Sequence, residues 1–334
     1  MESMDLSAPE RPVKLSVVVI CWNDWNVIEN CLRSIFEGTH QITYEVIVSD
    51  NGSTDGSSDN VRTFFPAVRL IENGANLGFS KANNVGIRAA RGEYVLILNP
   101  DTIIHDGSLD RWITFAEAHP EAGAFGCKVQ NPDGSYQESG RPFPTLQRCL
   151  IAALCLRPLG YLGRAFLSDR YEGWKGDSEM EIDWQSGCCL MLRSGPLSHV
   201  SGFDEQFFYH FEEVDLCYRV WKAGYRILFT PSAVITHLGG QSVGRFPVRF
   251  ALEKSRSRYR YFYKHFGRLG AKRCRQVLLL HLWLRRLGHG LVYIVSPKDS
   301  LKGRLEMLGV ATRWNWLVDP VAFVERGSEP QIDT

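Results

Sequence analysis

Short, continuously apolar segments separated by amphipathic ones constrain the fold of this sequence more than any other feature. LSVVVICW from Leu15, YEVIVSD from Tyr44 and YVLIL from Tyr94 carry apolar side chains at most positions. Such runs are typical of strands that are covered by helices on both faces. The intervening segments, such as residues 27–35, place apolar residues at helical spacing. Strands that alternate with helices in this way predict a parallel α/β sheet.

Polar residues follow three of the predicted strands. Asn23 follows the first, Asp50 ends the second, and Asp101 follows the strand that starts at Tyr94. Because ligands of open α/β sheets bind beyond the carboxyl ends of the strands, these residues are expected at one rim. Each alone has an ordinary explanation, since Asp and Asn often start turns. The three together indicate a ligand site.

A dense group of carboxylates occurs in FFYHFEEVDLCYR, residues 207–219. Glu212, Glu213 and Asp215 follow four aromatic residues within this run. Close like charges raise carboxylate pKa values, which suits proton transfer or metal binding. A helix is predicted over residues 212–223, and its N-terminal dipole favours acidic residues, so a charged helix start at the surface is the alternative.

His237 ends a β-rich run, 22 residues after Asp215. A single histidine at the end of a strand is more often part of the polar surface than a ligand. Its place downstream of the carboxylates favours the interpretation that it belongs to the same site.

The net charge of +1 conceals a strong asymmetry along the chain. Residues 1–244 carry 20 basic and 30 acidic side chains, whereas residues 245–304 carry 16 and 2. A basic segment behind an acidic body indicates an anionic partner, with membrane phospholipid and nucleic acid as candidates. The sequence contains no recognisable nucleic-acid-binding module, so a nucleic-acid partner is not expected.

The apolar run QVLLLHLWLRRLGHGLVYIV lies within this basic segment. It carries too many charges for a transmembrane helix and fits an amphipathic helix at an anionic membrane surface. A helical cap on the rest of the protein and a homodimer interface are the alternatives.

Length, cysteine content and the N-terminus indicate the class of protein. A chain of 334 residues predicts one large domain with an appendage, or two domains. Nine cysteines without a C-x-x-C pair are expected to be free and mostly buried, in a reducing compartment. The polar start MESMDLSAPERP lacks the features of a secretion signal. We therefore expect a cytoplasmic protein that is peripheral on the cytosolic face of the membrane.

Four motifs, in this order, resemble glycosyltransferase family 2: SVVVICWN, VIVSDNGSTDGS, NLGFSKANNVGIRAARGEYVLILNPD, and FDEQFFYHFEEVDLCYR with ITHLGG. The NPD and E-E-x-D-L forms are most similar to those of rhamnosyltransferases that build bacterial cell-surface polysaccharides. The resemblance implies an inverting enzyme of the GT-A fold, α/β, with a Rossmann-like mixed and mainly parallel sheet flanked by helices. It implies a catalytic domain over residues 13–244, followed by a basic helical region over residues 245–325.

The resemblance also implies a nucleotide-sugar site, in which Asp50 contacts a pyrimidine base. The residues that it assigns to the nucleotide sugar are Cys21, Asn23, Asp50, Lys81, Asn83 and Asn99. Trp184 and Gly187 are expected at the acceptor, because a strand glycine permits close approach of a ligand.

Asp101 matches the last aspartate of the family's D-x-D motif, and Asn99 replaces the first. The replacement increases the importance of His237, whose counterpart in the family can bind the metal. Asp101 and His237 are therefore expected to bind a divalent cation, Mg²⁺ or Mn²⁺.

Glu213 is expected to act as the general base, with Glu212 and Asp215 positioning it or the acceptor. The choice between Glu212 and Glu213 stays open. The resemblance implies a dTDP- or UDP-linked donor, with dTDP-rhamnose the leading hypothesis, and a glycan or lipid-linked acceptor. A non-catalytic relative that binds a nucleotide sugar or a glycan is the alternative, supported by the departures at Asn99 and Glu213.

Overall fold

The computed structural model describes residues 12–156, 168–239 and 247–330. Its strands are β1 (Leu15–Cys21), β2 (Tyr44–Asp50), β3 (Arg69–Glu72), β4 (Tyr94–Leu98), β5 (Thr102–Ile104), β6 (Ala122–Gln130), β7 (Tyr136–Gln137), β8 (Gly140–Arg141), β9 (Met180–Glu181), β10 (Trp184–Gln185), β11 (Cys189–Arg193) and β12 (Arg226–His237). Its helices are α1 (Trp25–Glu37), α2 (Ser57–Phe64), α3 (Phe79–Ala89), α4 (Ser108–Glu117), α5 (Leu146–Ala153), α6 (Ser194–His199), α7 (Glu212–Lys222), α8 (Pro247–Val295), α9 (Asp299–Leu317) and α10 (Pro320–Arg326).

The main sheet has the strand order β3-β2-β1-β4-β11-β6-β12-β5. Strands β1 to β4 run parallel to one another, as do β6 and β12, whereas β11 runs antiparallel between β4 and β6. The predicted mixed, mainly parallel sheet flanked by helices is therefore confirmed.

Strand β1 is covered on both faces, as its sequence predicts. Val17 and Val19 are buried in one hydrophobic cluster, and Val18 is buried in another. Successive side chains of a strand point to opposite faces, so a run of consecutive valines requires a core on each side of the sheet.

The segment DWQSGCCLMLRSG from Asp183, whose sequence predicts a single strand, forms two. Strands β10 and β11 are separated by Ser186 and Gly187, and β10 pairs with β8 in a separate ribbon. The backbone N–H of Ser186 donates to the carbonyl of Ser139 at 2.8 Å, which takes this part of the chain away from the main sheet. The interruption brings Gly187 next to α7.

The basic C-terminal helices pack on the sheet domain. Helix α8 is interrupted at Gly267, whose φ of 69° is left-handed and favours glycine. Tyr259, Phe262 and Trp314 are buried in the same hydrophobic cluster as Val214 of α7. These helices therefore cap the face that carries the carboxylate motif, as one of the sequence-based alternatives has it. Among the described residues, no helix is both long and apolar enough to span a bilayer.

Candidate active site

Asp101 and His237 meet where β4 and β12 end. The backbone N–H of Leu238 donates to the carbonyl of Asp101 at 2.9 Å, which joins the two strand ends. His237 Nε2 lies 3.2 Å from Asp101 Oδ1, and His237 Nδ1 lies 2.7 Å from Gln137 Oε1. In the tautomer that carries its proton on Nδ1, His237 donates to Gln137 Oε1, and Nε2 is available to a cation beside the carboxylate. Two electron-donating atoms that converge in this way suit a cation.

The donor set fits a divalent cation that is shared with a substrate. Asn99 contributes an amide to the lining of the same cleft. Within the ranges that the structure describes, no group of three or more His, Cys, Asp or Glu side chains forms a metal-binding cluster. A cation held by Asp101 and His237 would therefore keep most of its coordination positions for water and substrate oxygens, as Mg²⁺ does in phosphate-binding sites.

The cleft around this pair has a volume of about 200 Å³. Its polar and aromatic lining residues include Trp22, Asp24, Asn51, Asn76, Asn99, Asp101, Phe208, Tyr209 and His237. Sequence reasoning missed Trp22, Asp24 and Asn51, which are immediate neighbours of the predicted Asn23 and Asp50.

Three of the predicted nucleotide-binding residues contact the loop after β2, next to this cleft. Asn23, at φ 55°, accepts a hydrogen bond from the Thr54 backbone N–H at 2.7 Å. Asp50 Oδ2 accepts from the backbone N–H of Ser53 at 2.9 Å. Cys21 is buried and its thiol faces the hydroxyl of Ser53. All three therefore stabilise the loop after β2, while Asp50 Oδ1 is buried without a hydrogen-bond partner.

The two predicted residues of α3 differ in exposure. Lys81 is exposed in the first turn of the helix. Asn83 is buried, and its Nδ2 donates to the carbonyl of Phe79 at 3.1 Å. Neither is among the residues that line the cleft. Their contact with a nucleotide sugar stays a prediction.

An unusual backbone conformation positions the start of α7. His210 and Phe211 have φ values of 66° and 69°. Non-glycine residues in this region cost about 1–3 kcal/mol each, and such strain concentrates at functional sites. The surrounding packing holds Phe211 buried against Tyr261 of α8, and the carbonyl of Phe211 accepts from Asp215 N at 2.8 Å. The turn directs Glu212 and Glu213 into the first turn of α7.

Glu212 and Glu213 have raised proton affinity. Each has a buried Oε2 atom with no hydrogen-bond partner. Burial raises the pKa of Glu212 well above its usual range, with a further contribution from the charge of Glu213. Burial also raises the pKa of Glu213. A carboxylate with a raised pKa is the type of group that removes a proton from a hydroxyl.

Glu213 lies close to the Asp101 cleft. Phe79, which lines that cleft, lies 3.4 Å from the position of a Cβ atom built on Gly187. A Cβ atom built on Gly187 would lie 3.6 Å from the Cβ of Glu213. Gly187 therefore lies against the Glu213 side chain, as a residue near the acceptor would.

Glu213 and Trp184 also line a second cavity, of about 300 Å³, between the sheet domain and α8. We call it the basic cavity, because five cationic side chains line it: Arg141, Arg148, Lys254, Arg258 and Arg285. Trp184 Nε1 donates to the carbonyl of Pro142 at 2.9 Å. Sequence reasoning did not assign these basic residues to the site. The only available signal was the helical spacing of Lys254 and Arg258.

Asp215 faces a different set of partners. Its oxygens lie 2.8 Å from Arg219 Nε, 2.9 Å from Lys264 Nζ and 2.7 Å from His265 Nε2. Despite the unfavourable effect of burial, the hydrogen bond from His265 and the charges of Arg219 and Lys264 lower the pKa of Asp215 to about 2. Asp215 therefore joins α7 to α8 and supports the orientation of the helix that carries Glu213.

Similarity to characterised proteins agrees with this geometry. The profile described as Glycosyl transferase family 2 matches residues 16–164. The N-acetylglucosaminyl-diphospho-decaprenol L-rhamnosyltransferase of Mycobacterium tuberculosis is 34% identical over 259 residues, which cover 73% of this chain and 82% of that protein. Rhamnosyltransferase WbbL of Escherichia coli is 26% identical over 58% of this chain and 72% of its own length.

Solved structures of low sequence identity share the fold. A mannosyltransferase of Pyrobaculum calidifontis, in complex with GDP-Man and Mn²⁺, superposes with a TM-score of 0.55 at 17% identity, over 96% of this chain and 89% of that one. Staphylococcus aureus TarS, in complex with UDP-GlcNAc, superposes with a TM-score of 0.51 at 18% identity, over 90% and 80% of the two chains.

Proposed function

This chain belongs to glycosyltransferase family 2, and from that membership we propose that it transfers rhamnose from dTDP-rhamnose to a glycan or lipid-linked acceptor in cell-surface polysaccharide synthesis. The choice of rhamnose is supported by the 34% identity with the mycobacterial rhamnosyltransferase over 73% of this chain. The observation that carries the chemistry is the position of Glu213, which lines the basic cavity and is separated from Phe79 of the Asp101 cleft only by Gly187.

The proposed reaction is a single displacement at the anomeric carbon of the donor. Glu213 accepts the proton of an acceptor hydroxyl, and the oxygen forms a bond to the anomeric carbon. The bond from that carbon to the diphosphate oxygen breaks, and its electron pair leaves with the nucleotide diphosphate. Attack from the opposite face inverts the configuration. Glu212 holds a second buried carboxyl beside Glu213, whose charge raises the pKa of Glu212.

We propose that the enzyme depends on a divalent cation, with Mn²⁺ or Mg²⁺ held by Asp101 and His237. A bound cation would offset the negative charge of the leaving diphosphate. The 3.2 Å approach of His237 Nε2 to Asp101 Oδ1 supports this assignment.

A thermal-shift panel tests the proposed donor and cation together. A ligand that binds the folded state raises the melting temperature by mass action. We expect dTDP-rhamnose to raise it more in the presence of Mn²⁺, and Asp101→Asn to remove the effect of Mn²⁺. Asp133→Asn is the matched control, since Asp133 lies in an exposed turn. A shift with another nucleotide sugar alone would contradict the choice of dTDP-rhamnose, and an equal shift in Asp101→Asn would contradict the cation site.

We also propose a peripheral location on the cytosolic face of the membrane. Apolar side chains near the end of α8, including Trp283, Leu291 and Ile294, are exposed. They lie in the basic segment, and an apolar surface with nearby cations suits an anionic membrane.

A further inference from the structure

The basic cavity continues into an apolar groove between α5 and α8. Ala152, His281 and Arg285 line both. The groove has a volume of about 630 Å³. Its remaining lining residues are Ala153, Leu154, Cys155, Leu284, Gly288, His289 and Val292. Glu213 therefore lies in the part of this continuous surface away from the groove, and Arg285 lies where the cavity and the groove join.

The cationic residues of the basic cavity outnumber its acidic ones. Among the residues that the structure describes, its carboxylates are Glu213 and Asp169. Of the five cations, Arg141 is paired with Glu138 at 3.2 Å, and Arg148 lies 3.7 Å from Asp183. These pairs leave three cations that face the cavity.

Lys254, Arg258 and Arg285 have no carboxylate within ion-pair distance among the residues that the structure describes. The Nε atom of Arg258 is buried and makes no hydrogen bond. A buried donor without an acceptor is costly, so an anionic ligand there would be stabilised by a charge-assisted hydrogen bond.

The pKa of Lys254 reflects burial and the positive charges that surround it. Burial among protein atoms and the charges of Arg258 and Arg141 lower the pKa of its ammonium group to about 8, although the cavity mouth leaves the side chain accessible to solvent. An anion placed among these groups would offset their mutual repulsion.

The chemistry of the surface changes along its length. The part near Glu213 can receive a sugar hydroxyl, the cations in the middle suit phosphate oxygens, and the groove suits a hydrocarbon chain. A lipid diphosphate that carries a sugar has the same sequence of groups. Charge complementarity and the continuity of the two cavities therefore point to one occupant.

We propose that Lys254, Arg258 and Arg285 bind the diphosphate of a lipid-linked acceptor, whose hydrocarbon chain lies in the groove between α5 and α8. The inference rests on the proposed function, because it places the acceptor sugar beside Glu213. It adds the chemical class of the acceptor and the residues that bind it.

Calorimetric titration with farnesyl diphosphate, farnesol and inorganic diphosphate tests the cationic part. We expect Arg258→Gln and Lys254→Gln each to weaken binding of farnesyl diphosphate about tenfold, the effect of losing one charge-assisted hydrogen bond. Arg286→Gln is the matched control, because Arg286 is exposed on the same helix and does not line the cavity. If all three variants bind farnesyl diphosphate with equal affinity, the proposal is overturned.

A glycine pair tests the groove. Gly288 lines it and Gly290 does not, and a Cβ atom on either would meet nothing within 4 Å. We expect Gly288→Phe to weaken binding of farnesyl diphosphate and farnesol but not of inorganic diphosphate, and Gly290→Phe to change none of them. Equal binding of farnesyl diphosphate by both variants, or no tighter binding of farnesyl diphosphate than of inorganic diphosphate, would overturn the lipid assignment.

Donor binding separates this inference from the proposed function. We expect Arg258→Gln to retain the thermal shift with dTDP-rhamnose and Mn²⁺. Loss of that shift would assign the basic cavity to the donor diphosphate and overturn the inference. Binding of farnesyl diphosphate without any donor shift would contradict the proposed function while supporting the lipid site.

Discussion

At the scale of single residues, Glu212 and Glu213 differ in what surrounds them. Glu212 is only 4% exposed, whereas Glu213 is partly exposed and lines the basic cavity. A general base must reach the hydroxyl from which it takes a proton, so geometry favours Glu213. Glu212 has no place among the residues that line either cavity.

Substitution of the two glutamates distinguishes their roles. We expect Glu213→Gln to lower kcat by about 10²- to 10⁴-fold, because general base catalysis contributes that much. Glu212→Gln should lower kcat less, since Glu212 lines neither cavity and its carboxyl does not reach the acceptor. Steady-state kinetics with dTDP-rhamnose measure both effects, and calorimetry checks that donor affinity is retained. A larger loss in Glu212→Gln would reverse the assignment.

The pH dependence of kcat provides an independent check on Glu213. Its pKa is raised by burial, and only the deprotonated form accepts a proton. Activity should therefore fall with decreasing pH at values above those of an ordinary glutamate.

Sequence alone could predict, through the family resemblance, that Asp101 and His237 share a cation site. It could not predict which neighbours of Asn23 and Asp50 line the cleft. That choice depends on turn geometry: at φ 55°, Asn23 directs its side chain to Thr54. The left-handed backbone that positions Glu213 is likewise a product of tertiary packing, since no glycine marks it.

At the scale of elements, the contact between α7 and α8 depends on the buried cluster around Asp215. The cluster joins Asp215 and Arg219 of α7 to Lys264 and His265 of α8. The sequence predicts that the carboxylate and Arg219 share a helix face. It does not predict the partners on α8, which lie about fifty residues further along the chain. Only the tertiary structure shows that Asp215 pairs with these residues of α8.

Loss of this carboxylate should destabilise the protein. The folded-state pKa of Asp215 is about 2 against an ordinary value of 3.8, which corresponds to roughly 2 kcal/mol of stability at neutral pH. Asp215→Asn should lower the free energy of unfolding by at least that amount, because it also removes the carboxylate partner of the largely buried Arg219. Chemical denaturation measures the change.

The stability should also depend on pH in a defined direction. A depressed pKa means that the unfolded state binds more protons, so the contribution is present above about pH 4 and is lost as the pH falls towards 2. The difference between wild type and Asp215→Asn should shrink over this interval. Asp59→Asn is the control, since the exposed pair of Asp59 with Arg62 is expected to contribute about 0–1 kcal/mol. A pH-independent difference would contradict the role of the carboxylate charge.

At the scale of the whole molecule, the basic segment of the sequence forms a helix with two different faces. The cations of α8 that face the sheet domain line the basic cavity, and the end of α8 presents apolar residues to the outside. The sequence predicts the amphipathic character of this segment. It could not distinguish a helix that caps the sheet domain from one that binds a membrane, because one face of a helix can pack on the protein while the opposite face stays exposed.

Binding to vesicles tests the outer face. Trp283, Leu287, Leu291 and Ile294 recur at helical spacing and are 49–79% exposed, so they form an apolar stripe beside the basic residues of α8. The chain should sediment with vesicles that contain phosphatidylglycerol and bind less at high salt, since the cations contribute about 1 kcal/mol each near the surface. The double variant Leu291→Glu/Ile294→Glu should lose this binding. Phe64→Glu, which charges an apolar side chain that is 59% exposed on α2, should retain it.

If the double variant sediments like wild type, the stripe does not contact lipid. Light scattering then shows whether a second copy of the chain covers it, because those charges would also separate a homodimer.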